Sequence, residues 1–311
     1  MDSAVRGSFS PGSAPKPSPR GSGIAFALSA FLLWAAVPIY FKVLLHVPML
    51  EVVSHRVLWS VLFLGVLITA RRGWPEVARC FRTPRRFGLM VLTTALIGTN
   101  WLVYIWAVTS NRVLEGSLGY FINPLVSVAF GVVFLRERLP RLQGLALLFA
   151  GVGVGNLVFR HGQVPWLALG VAGTFALYGL LRKVAAVDAL TGLFVEMLLL
   201  FPAAVIWLVR IVGRGESHFL LVDRTTDLLL VGASFVSFVP LLLFIAATRR
   251  LPLSTLAFIQ YVSPVGQLLL AIFAYGEPFT AARKVTFAFI WAALLLYTGD
   301  LVVRTRSASR P

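Results

Sequence analysis

The sequence predicts an all-α polytopic membrane protein with ten transmembrane helices, arranged as two inverted five-helix repeats. Hydrophobic residues make up 58% of the 311 positions and charged residues only 13%, about half the charged fraction of a soluble domain. Apolar runs recur along nearly the whole chain, each close to the roughly 20 residues that cross a bilayer as a helix. The stretch 100–137 is also echoed 140 positions later by 240–277. A pattern that occurs twice indicates two structurally related halves.

Each element can be placed along the chain in order. The first 22 residues are rich in Pro, Ser and Gly and predict a disordered cytoplasmic tail. The first repeat, 23–160, is expected to contain helices at 23–41, 51–70, 87–109, 113–135 and 139–159. The second repeat, 164–303, is expected to contain helices at 164–181, 191–210, 227–248, 252–275 and 279–303. An arginine-rich loop is predicted at 71–86, and a second cytoplasmic tail at 304–311.

Lysine and arginine are distributed unevenly between the predicted loops. With the N-terminus in the cytoplasm, nineteen of them fall in cytoplasmic segments and eight in external segments. This bias places both termini inside. Since each half has an odd number of helices, the second half enters the membrane in the opposite orientation, which is typical of secondary transporters. The net charge of +16 therefore reflects membrane topology, and nucleic acid is not an expected partner.

Signatures of catalysis and of metal binding are missing from the sequence. Cys80 is the only cysteine, so neither an intrachain disulfide nor a cysteine-based metal cluster is expected. No phosphate-binding loop, HExxH motif or nucleophile elbow occurs. We therefore expect no enzyme activity and no cofactor, and we expect any transport to be passive or driven by a gradient.

Polar side chains occupy matching positions in the two halves. Each group lies on one face of its predicted helix, beside a proline (Pro124 or Pro264) that should bend that helix. The matched residues are Tyr120, Asn123 and Ser127 in the first half, and Gln260, Ser263 and Gln267 in the second. Such groups should point inward, either as interhelical hydrogen bonds or as the lining of a substrate path. The sequence leaves both interpretations open.

Two charged residues lie within predicted membrane spans, again 140 positions apart. They are Arg56 and Glu196. A charge inside the bilayer requires a partner or a water-filled cavity. We expect an ion pair between the two residues across the pseudo-symmetry axis, with a proton-coupling or substrate-charge site as the alternative.

Aromatic and amide residues extend the candidate site. Trp34 and Tyr178 lie deep in the first helix of each half, where they could stack on an aromatic solute. Asn100 and Tyr104 in the third helix are further candidates. Aromatic residues are also common at membrane interfaces, and this alternative applies to several others in the chain.

Several motifs resemble those of the drug/metabolite transporter superfamily, in particular its EamA-type members and, among these, the RarD-type permeases. The matching runs are NWLVYIWAV at 100–108, LEGSLGYFINPL at 114–125, FALYGLLRK at 175–183, FIQYVSP at 258–264, YGEPF at 275–279 and FAFIWAALLLY at 287–297. The resemblance implies a multi-pass inner-membrane transporter with cytoplasmic termini.

Together these observations predict a secondary transporter that exports small organic molecules of the drug or metabolite class by alternating access. The expected partners are a small-molecule solute, the lipid bilayer and, as a candidate coupling ion, protons. One alternative is an intramembrane lipid-acting enzyme, which would need a cluster of acids or histidines at one membrane surface. The other is a non-transporting sensor or scaffold. Substrate and oligomeric state are left open.

Overall fold

A computed structural model describes residues 19–109, 113–161, 166–185, 187–274 and part of 281–300. Within these residues the chain is helical and contains no strand. The helices are α1 Pro19–Val43, α2 Met49–Ala70, α3 Trp74–Arg82, α4 Pro84–Thr109, α5 Val113–Leu135, α6 Arg141–His161, α7 Trp166–Val184, α8 Ala189–Gly213, α9 Arg224–Thr248, α10 Leu253–Gln260 and α11 Val262–Leu269. A π-helical segment, Leu270–Ala274, follows α11, and the described residues of 281–300 are helical.

Several of these helices are suited to cross a bilayer. Among the described residues, six are long and apolar enough: Gly21–Val43, Met49–Ala70, Pro84–Val103, Trp166–Val184, Ala189–Gly213 and Arg224–Thr248. Two shorter apolar segments lie at Gly119–Leu135 and Gly144–Gly153. Large apolar side chains cover the outside of the bundle, where lipid tails would solvate them, for example Leu32, Val66, Leu102 and Ile206. The chain is a multi-pass membrane protein, while the total of ten spans stays a prediction.

The arginine-rich segment differs from the predicted loop because part of it forms α3. This helix begins with Pro75 in its first turn, buries Val77 and Cys80, and turns its charges outward. The Glu76 carboxylate pairs with the Arg86 guanidinium at 2.8 Å and also contacts Arg79. The nine residues of α3 therefore place their buried side chains on one face and their charges on the other, and the helix lies on the surface of the bundle.

The predicted helix 252–275 is interrupted in the structure. α10 ends at Gln260, Tyr261 forms the turn, and α11 begins at Val262. Pro264 lies four residues after Gln260 and has no N–H, so it cannot donate to the Gln260 carbonyl. The break therefore falls at the carbonyl that the proline leaves without a helical partner. Pro124 has the same relation to Tyr120, although α5 continues through it.

Packing joins the two halves more than it joins neighbours within one half. The most extensive contacts are those of α5 with α7, α2 with α8 and α1 with α9. The α5–α7 contact is close because Gly119 lacks a side chain: a Cβ there would lie 2.8 Å from the Ala168 carbonyl oxygen. A small residue at such a contact allows two helix backbones to approach.

Two helices of the second half begin at aspartate caps. Asp188 accepts hydrogen bonds from the Leu190 and Thr191 amides at the start of α8. Partial burial raises the pKa of Asp188, but the hydrogen bonds from Thr191 and Leu190, with the charge of Arg249, outweigh burial and hold the pKa below its ordinary value. Asp223 caps α9 in the same manner. Both helices are therefore fixed at their N-termini by ionised side chains.

Candidate functional site

The matched polar faces meet in the interior of the bundle. Asn123 of α5 is fully buried, and its Nδ2 donates to the Ala172 carbonyl of α7 at 3.2 Å. Its Oδ1 accepts from Gln260 Nε2 of α10 at 2.8 Å and from Ser127 Oγ at 3.1 Å. We call Asn123, Ser127 and Gln260 the amide seam. The seam joins the first half to the second through residues of the two matched polar faces.

A second polar contact supports α1, where Pro38 lies inside the helix. Pro38 cannot donate to the carbonyl of Trp34, four residues earlier. Gln267 Nε2 of α11 donates to that carbonyl at 3.1 Å and lies 3.4 Å from Ser263 Oγ. Gln267 thus replaces a backbone hydrogen bond that the proline removes.

The remaining predicted polar residues lie on α4 and α5. Asn100 is buried, and its Nδ2 donates to the Val171 carbonyl at 2.8 Å and to Thr174 Oγ1 at 3.0 Å. Tyr120 is partly buried. The side chain of Tyr104 lies outside the described residues. Asn100 and Asn123 therefore anchor α4 and α5 to successive carbonyls of α7.

Aromatic rings form a cluster between α1, α7 and α9. The Trp34 ring centroid lies 5.7 Å from those of Phe175 and Phe244. Tyr178 stacks on Phe244 at a centroid separation of 6.5 Å. Trp34 and Tyr178, each predicted to lie deep in the first helix of its half, are thus linked through Phe244. Trp34 and Phe175 are only partly buried.

The predicted ion pair between Arg56 and Glu196 is wrong. Glu196 pairs with Arg182, with 3.7 Å between Glu196 Oε1 and Arg182 Nε, and both side chains are completely buried. The Tyr178 hydroxyl donates to Glu196 Oε2 at 3.0 Å. Glu196 therefore turns toward α7. A Cβ on Gly192 would lie 2.6 Å from the Arg182 Cζ atom, so this glycine makes room for the guanidinium.

Arg56 turns toward α4 instead. Its Cζ atom lies 4.2 Å from the centroid of the Trp101 ring, in a cation–π contact. Its Nε is buried without a hydrogen-bond partner. Although α2 and α8 pack together, their two charged side chains leave the interface in different directions. Arg56 and Glu196 are therefore related by the internal repeat, but their side chains do not contact each other.

Glu137 has a structural role that sequence reasoning missed. In the sequence it stands between Arg136 and Arg138, and nothing there indicates a more distant partner. Its carboxylate instead accepts hydrogen bonds from the amides of Leu253 and Ser254 at 2.7 and 3.0 Å and from Ser254 Oγ at 2.9 Å. Lys183 Nζ lies 3.9 Å from Glu137 Oε1 and donates to the Thr248 carbonyl at 3.1 Å. The carboxylate therefore caps the start of α10, which has no side-chain cap of its own.

Another carboxylate joins the halves at the opposite end of the bundle. Glu51 at the start of α2 is buried and accepts from Ser217 Oγ at 3.1 Å and from the His218 amide at 2.7 Å. The His218 ring Nδ1 lies 2.9 Å from Glu51 Oε2. We call the Glu51 and Glu137 clusters the two end contacts. In the sequence, Glu51 precedes an apolar run, which indicates a helix start. Spacing alone does not identify Ser217 and His218 as its partners.

An apolar groove of about 780 Å³ runs along α6 beside Leu125. Gly144, Gly151 and Gly155 leave the space that it occupies. It contains none of the predicted site residues. The seam and the aromatic cluster are therefore separate from this groove.

The helical fold and the inward-facing polar groups are those of a polytopic membrane protein, and sequence comparison supplies its family. Residues 21–159 match the EamA-like transporter family. The chain belongs to this family and is a membrane transporter.

Its relatives make it a RarD-like member of that family. It is 44% identical over 288 residues to protein RarD of Escherichia coli (strain K12), covering 93% of this chain and 97% of that protein. An uncharacterized transporter of Vibrio cholerae serotype O1 is 46% identical over 288 residues, covering 93% of this chain and 95% of that protein. A chain titled "Crystal structure of protein" superposes with a TM-score of 0.70 at 18% identity, covering 92% of this chain and 99% of that chain. This last likeness shows the fold.

Proposed function

We propose that the protein is a secondary transporter that exports small organic molecules of the drug or metabolite class by alternating access. The observation that carries this proposal is the amide seam. Its central hydrogen bond joins Asn123 to Gln260 at 2.8 Å, across the two halves, beside the interrupted helix α10–α11. Carriers built from inverted repeats bind solute near the midplane, where such helices are discontinuous.

The proposed architecture has ten spans in two inverted repeats, 23–160 and 164–303, with both termini on the cytoplasmic side of the inner membrane. The packing of α5 on α7 and of α2 on α8 supports two interleaved halves. The charge bias also supports this orientation. Arg182 is buried and paired and so does not report on topology. Without it, eighteen basic residues still face the cytoplasm against eight outside.

The proposed solute path runs between the amide seam and the aromatic cluster. Seam residues already bond to one another, so a polar solute would exchange hydrogen bonds with them at little net cost. The partly exposed rings of Trp34 and Phe175 would contact its apolar part. The proposed lining residues are Trp34, Asn100, Tyr104, Tyr120, Asn123, Ser127, Tyr178, Gln260, Ser263 and Gln267.

The two end contacts fit the proposed alternating access. At each end, one glutamate of the first half accepts three hydrogen bonds from the second half: Glu51 from Ser217 and His218, and Glu137 from Leu253 and Ser254. Opening the path toward one side would break one contact and leave the other intact. Each contact would then act as the gate of one side.

Flux through reconstituted protein tests the proposal. Purified protein in proteoliposomes should move members of a panel of neutral, cationic and anionic aromatic solutes, and an imposed pH gradient should accelerate the flux if protons are the coupling ion. Ser127→Ala removes one donor from the seam and should weaken the apparent affinity severalfold. The control Ser237→Ala removes a hydroxyl that donates within α9, to the Ala233 carbonyl, and should leave affinity unchanged.

Two results would contradict the proposal. Absence of flux for every solute, with correctly folded protein in the vesicles, would reject a carrier. Equal affinities for the wild type and Ser127→Ala would reject the seam as the binding site and leave it a packing contact.

A further inference from the structure

Arg56 is a cation inside the bundle that no described side chain neutralises. No ion pair or hydrogen bond joins it to any residue that the structure describes, and its Nε is buried without a partner. The guanidinium lies over the Trp101 ring in a cation–π contact, with 4.2 Å between Cζ and the ring centroid. This contact stabilises the charge, but the ring does not replace an oxygen acceptor for the N–H groups. An arginine within a membrane span is expected to have an anionic, carbonyl or water partner. The structure supplies a position for the charge and leaves its donors available.

Two other basic side chains inside the bundle have a carboxylate beside them, although Arg182 Nε, like Arg56 Nε, is buried without a hydrogen-bond partner. Arg182 has Glu196 at 3.7 Å, and its Nη2 lies within hydrogen-bond distance of the Asp188 and Ala189 carbonyls. Lys183 contacts the carboxylate of Glu137. Among the residues that the structure describes, Arg56 therefore differs from Arg182 and Lys183 in having no carboxylate beside its charge.

The surroundings of Arg56 match the proposed solute path. Trp101 follows Asn100, which binds α7 beside the seam. Tyr120, one turn before Asn123 on α5, lies near enough to Arg56 to interact with it electrostatically. Trp101 and Trp34 both pack against one apolar core cluster. Arg56 thus places a positive charge against the Trp101 ring and near Tyr120, one of the proposed lining residues. Guanidinium donors match the two oxygens of a carboxylate.

We infer that Arg56 binds the negative group of the transported molecule, and that the substrate class is aromatic organic anions, carboxylates in particular. This inference rests on the proposed function and gives it a charge specificity. The carboxylate completes the hydrogen bonding of the guanidinium, while the ring of the substrate lies toward the aromatic cluster. Neutral analogues leave Arg56 without an anion and bind more weakly.

Matched acid and amide probes test this inference. The full-length protein in nanodiscs of neutral lipid is titrated with indole-3-acetate and indole-3-acetamide, and with 4-hydroxybenzoate and its amide, and binding is followed by thermal shift and tryptophan fluorescence. Each pair has one ring and nearly one size and differs in charge. We expect at least about tenfold tighter binding of the acid, the ratio expected for a hydrogen bond to a charged group. Inorganic phosphate, which has charge but no ring, should bind more weakly than either acid.

Three variants separate the charge at this site from other effects. Arg56→Met keeps an unbranched side chain and should make acid and amide bind equally. Arg56→Lys keeps the charge but loses the planar fork, so it should retain part of the preference. Arg250→Met is the control, because Arg250 also lies over a ring, at 5.0 Å from that of Phe26, but is exposed at the end of α9. It should keep the full preference.

The inference is overturned if wild-type protein binds acid and amide equally, if it binds neither acid, if phosphate binds as tightly as the acids, or if the preference survives in Arg56→Met. Should Arg56→Met fail to fold, an undiminished preference in Arg56→Lys would also count against it. Failure of the proposed function looks different, since no solute of any charge would then cross the membrane. Flux of neutral or cationic solutes without an acid preference would reject this inference alone.

Discussion

The buried pair Arg182–Glu196 can be tested by removing its charges one at a time. Arg182→Met leaves Glu196 as an unpaired carboxylate beside Tyr178, and Glu196→Gln leaves an unpaired guanidinium while it keeps an oxygen for the Tyr178 hydroxyl. At 3.7 Å and an effective dielectric constant of about 20, the attraction between the two charges is about 4.5 kcal/mol. Breaking a buried pair on one side typically costs about 3–5 kcal/mol. Each single variant should therefore lose about 3 kcal/mol or more of unfolding free energy.

The double variant should recover much of that loss, because neither charge is then left alone in the bundle. We expect an interaction energy of about 2–3 kcal/mol from the double-mutant cycle. Unfolding of the purified protein by increasing SDS in mixed micelles measures the free energies, and the yield of monodisperse protein gives an independent reading. Arg56→Met combined with Glu196→Gln serves as the comparison cycle. Its effects should add to within about 0.5 kcal/mol, since those side chains do not touch.

Two outcomes would refute this reasoning. Single variants within about 1 kcal/mol of the wild type would mean that the charges are solvated or neutral in the folded protein. Additive losses in the Arg182 and Glu196 cycle would mean that the two groups do not stabilise each other. Strong coupling between Arg56 and Glu196 would instead restore the pairing expected from the sequence repeat.

Three further changes have defined expected results. Gly192→Ala should lower the thermal unfolding temperature by several degrees, because its Cβ would overlap the guanidinium of Arg182; an unchanged value would show that Arg182 adopts another position. Gln267→Ala should cost about 0.6–1.7 kcal/mol of unfolding free energy, because the Trp34 carbonyl loses its donor, and chemical denaturation would measure it. Asp188→Ala should cost about 1 kcal/mol at pH 7. Because the folded-state pKa is depressed, this difference should be complete above about pH 4 and shrink as the pH falls below it, and a difference that stays constant down to pH 2 would contradict the ionised cap.

Hydrophobicity was sufficient to predict most helices. α5 was predicted at 113–135 and is found at Val113–Leu135, because a long apolar run has only one way to satisfy its backbone in lipid. The helix α3 was missed, since nine residues with three charges resemble a solvated loop. The first predicted tail extended too far, because α1 begins at Pro19. Pro264 was identified as a bending residue, but periodicity alone could not locate the break at Tyr261.

The candidate site was less predictable, because side-chain pairing depends on three-dimensional placement. Matched polar faces indicated inward-facing groups, and Asn123 and Gln260 are indeed buried and bonded to each other; their contact with solute stays a prediction. The 140-residue spacing relates Arg56 to Glu196 by pseudo-symmetry, and symmetry-related residues need not touch. Arg182 lies near a helix end, where basic residues usually meet water. Its burial follows from a neighbouring helix that offers both a glycine and a carboxylate.

The cap that Glu137 provides for α10 has a consequence for biosynthesis. The ribosome adds Glu137 more than a hundred residues before it reaches Leu253, so the carboxylate has no amide donors from α10 while the intervening residues are made. When α10 emerges, its first amides have no side-chain cap within their own segment. The first turn of α10 is therefore completed only against a first half that has already assembled. The second half should mature last, and two fragments divided between 161 and 166 should reach a stable fold only when both are made in the same cell.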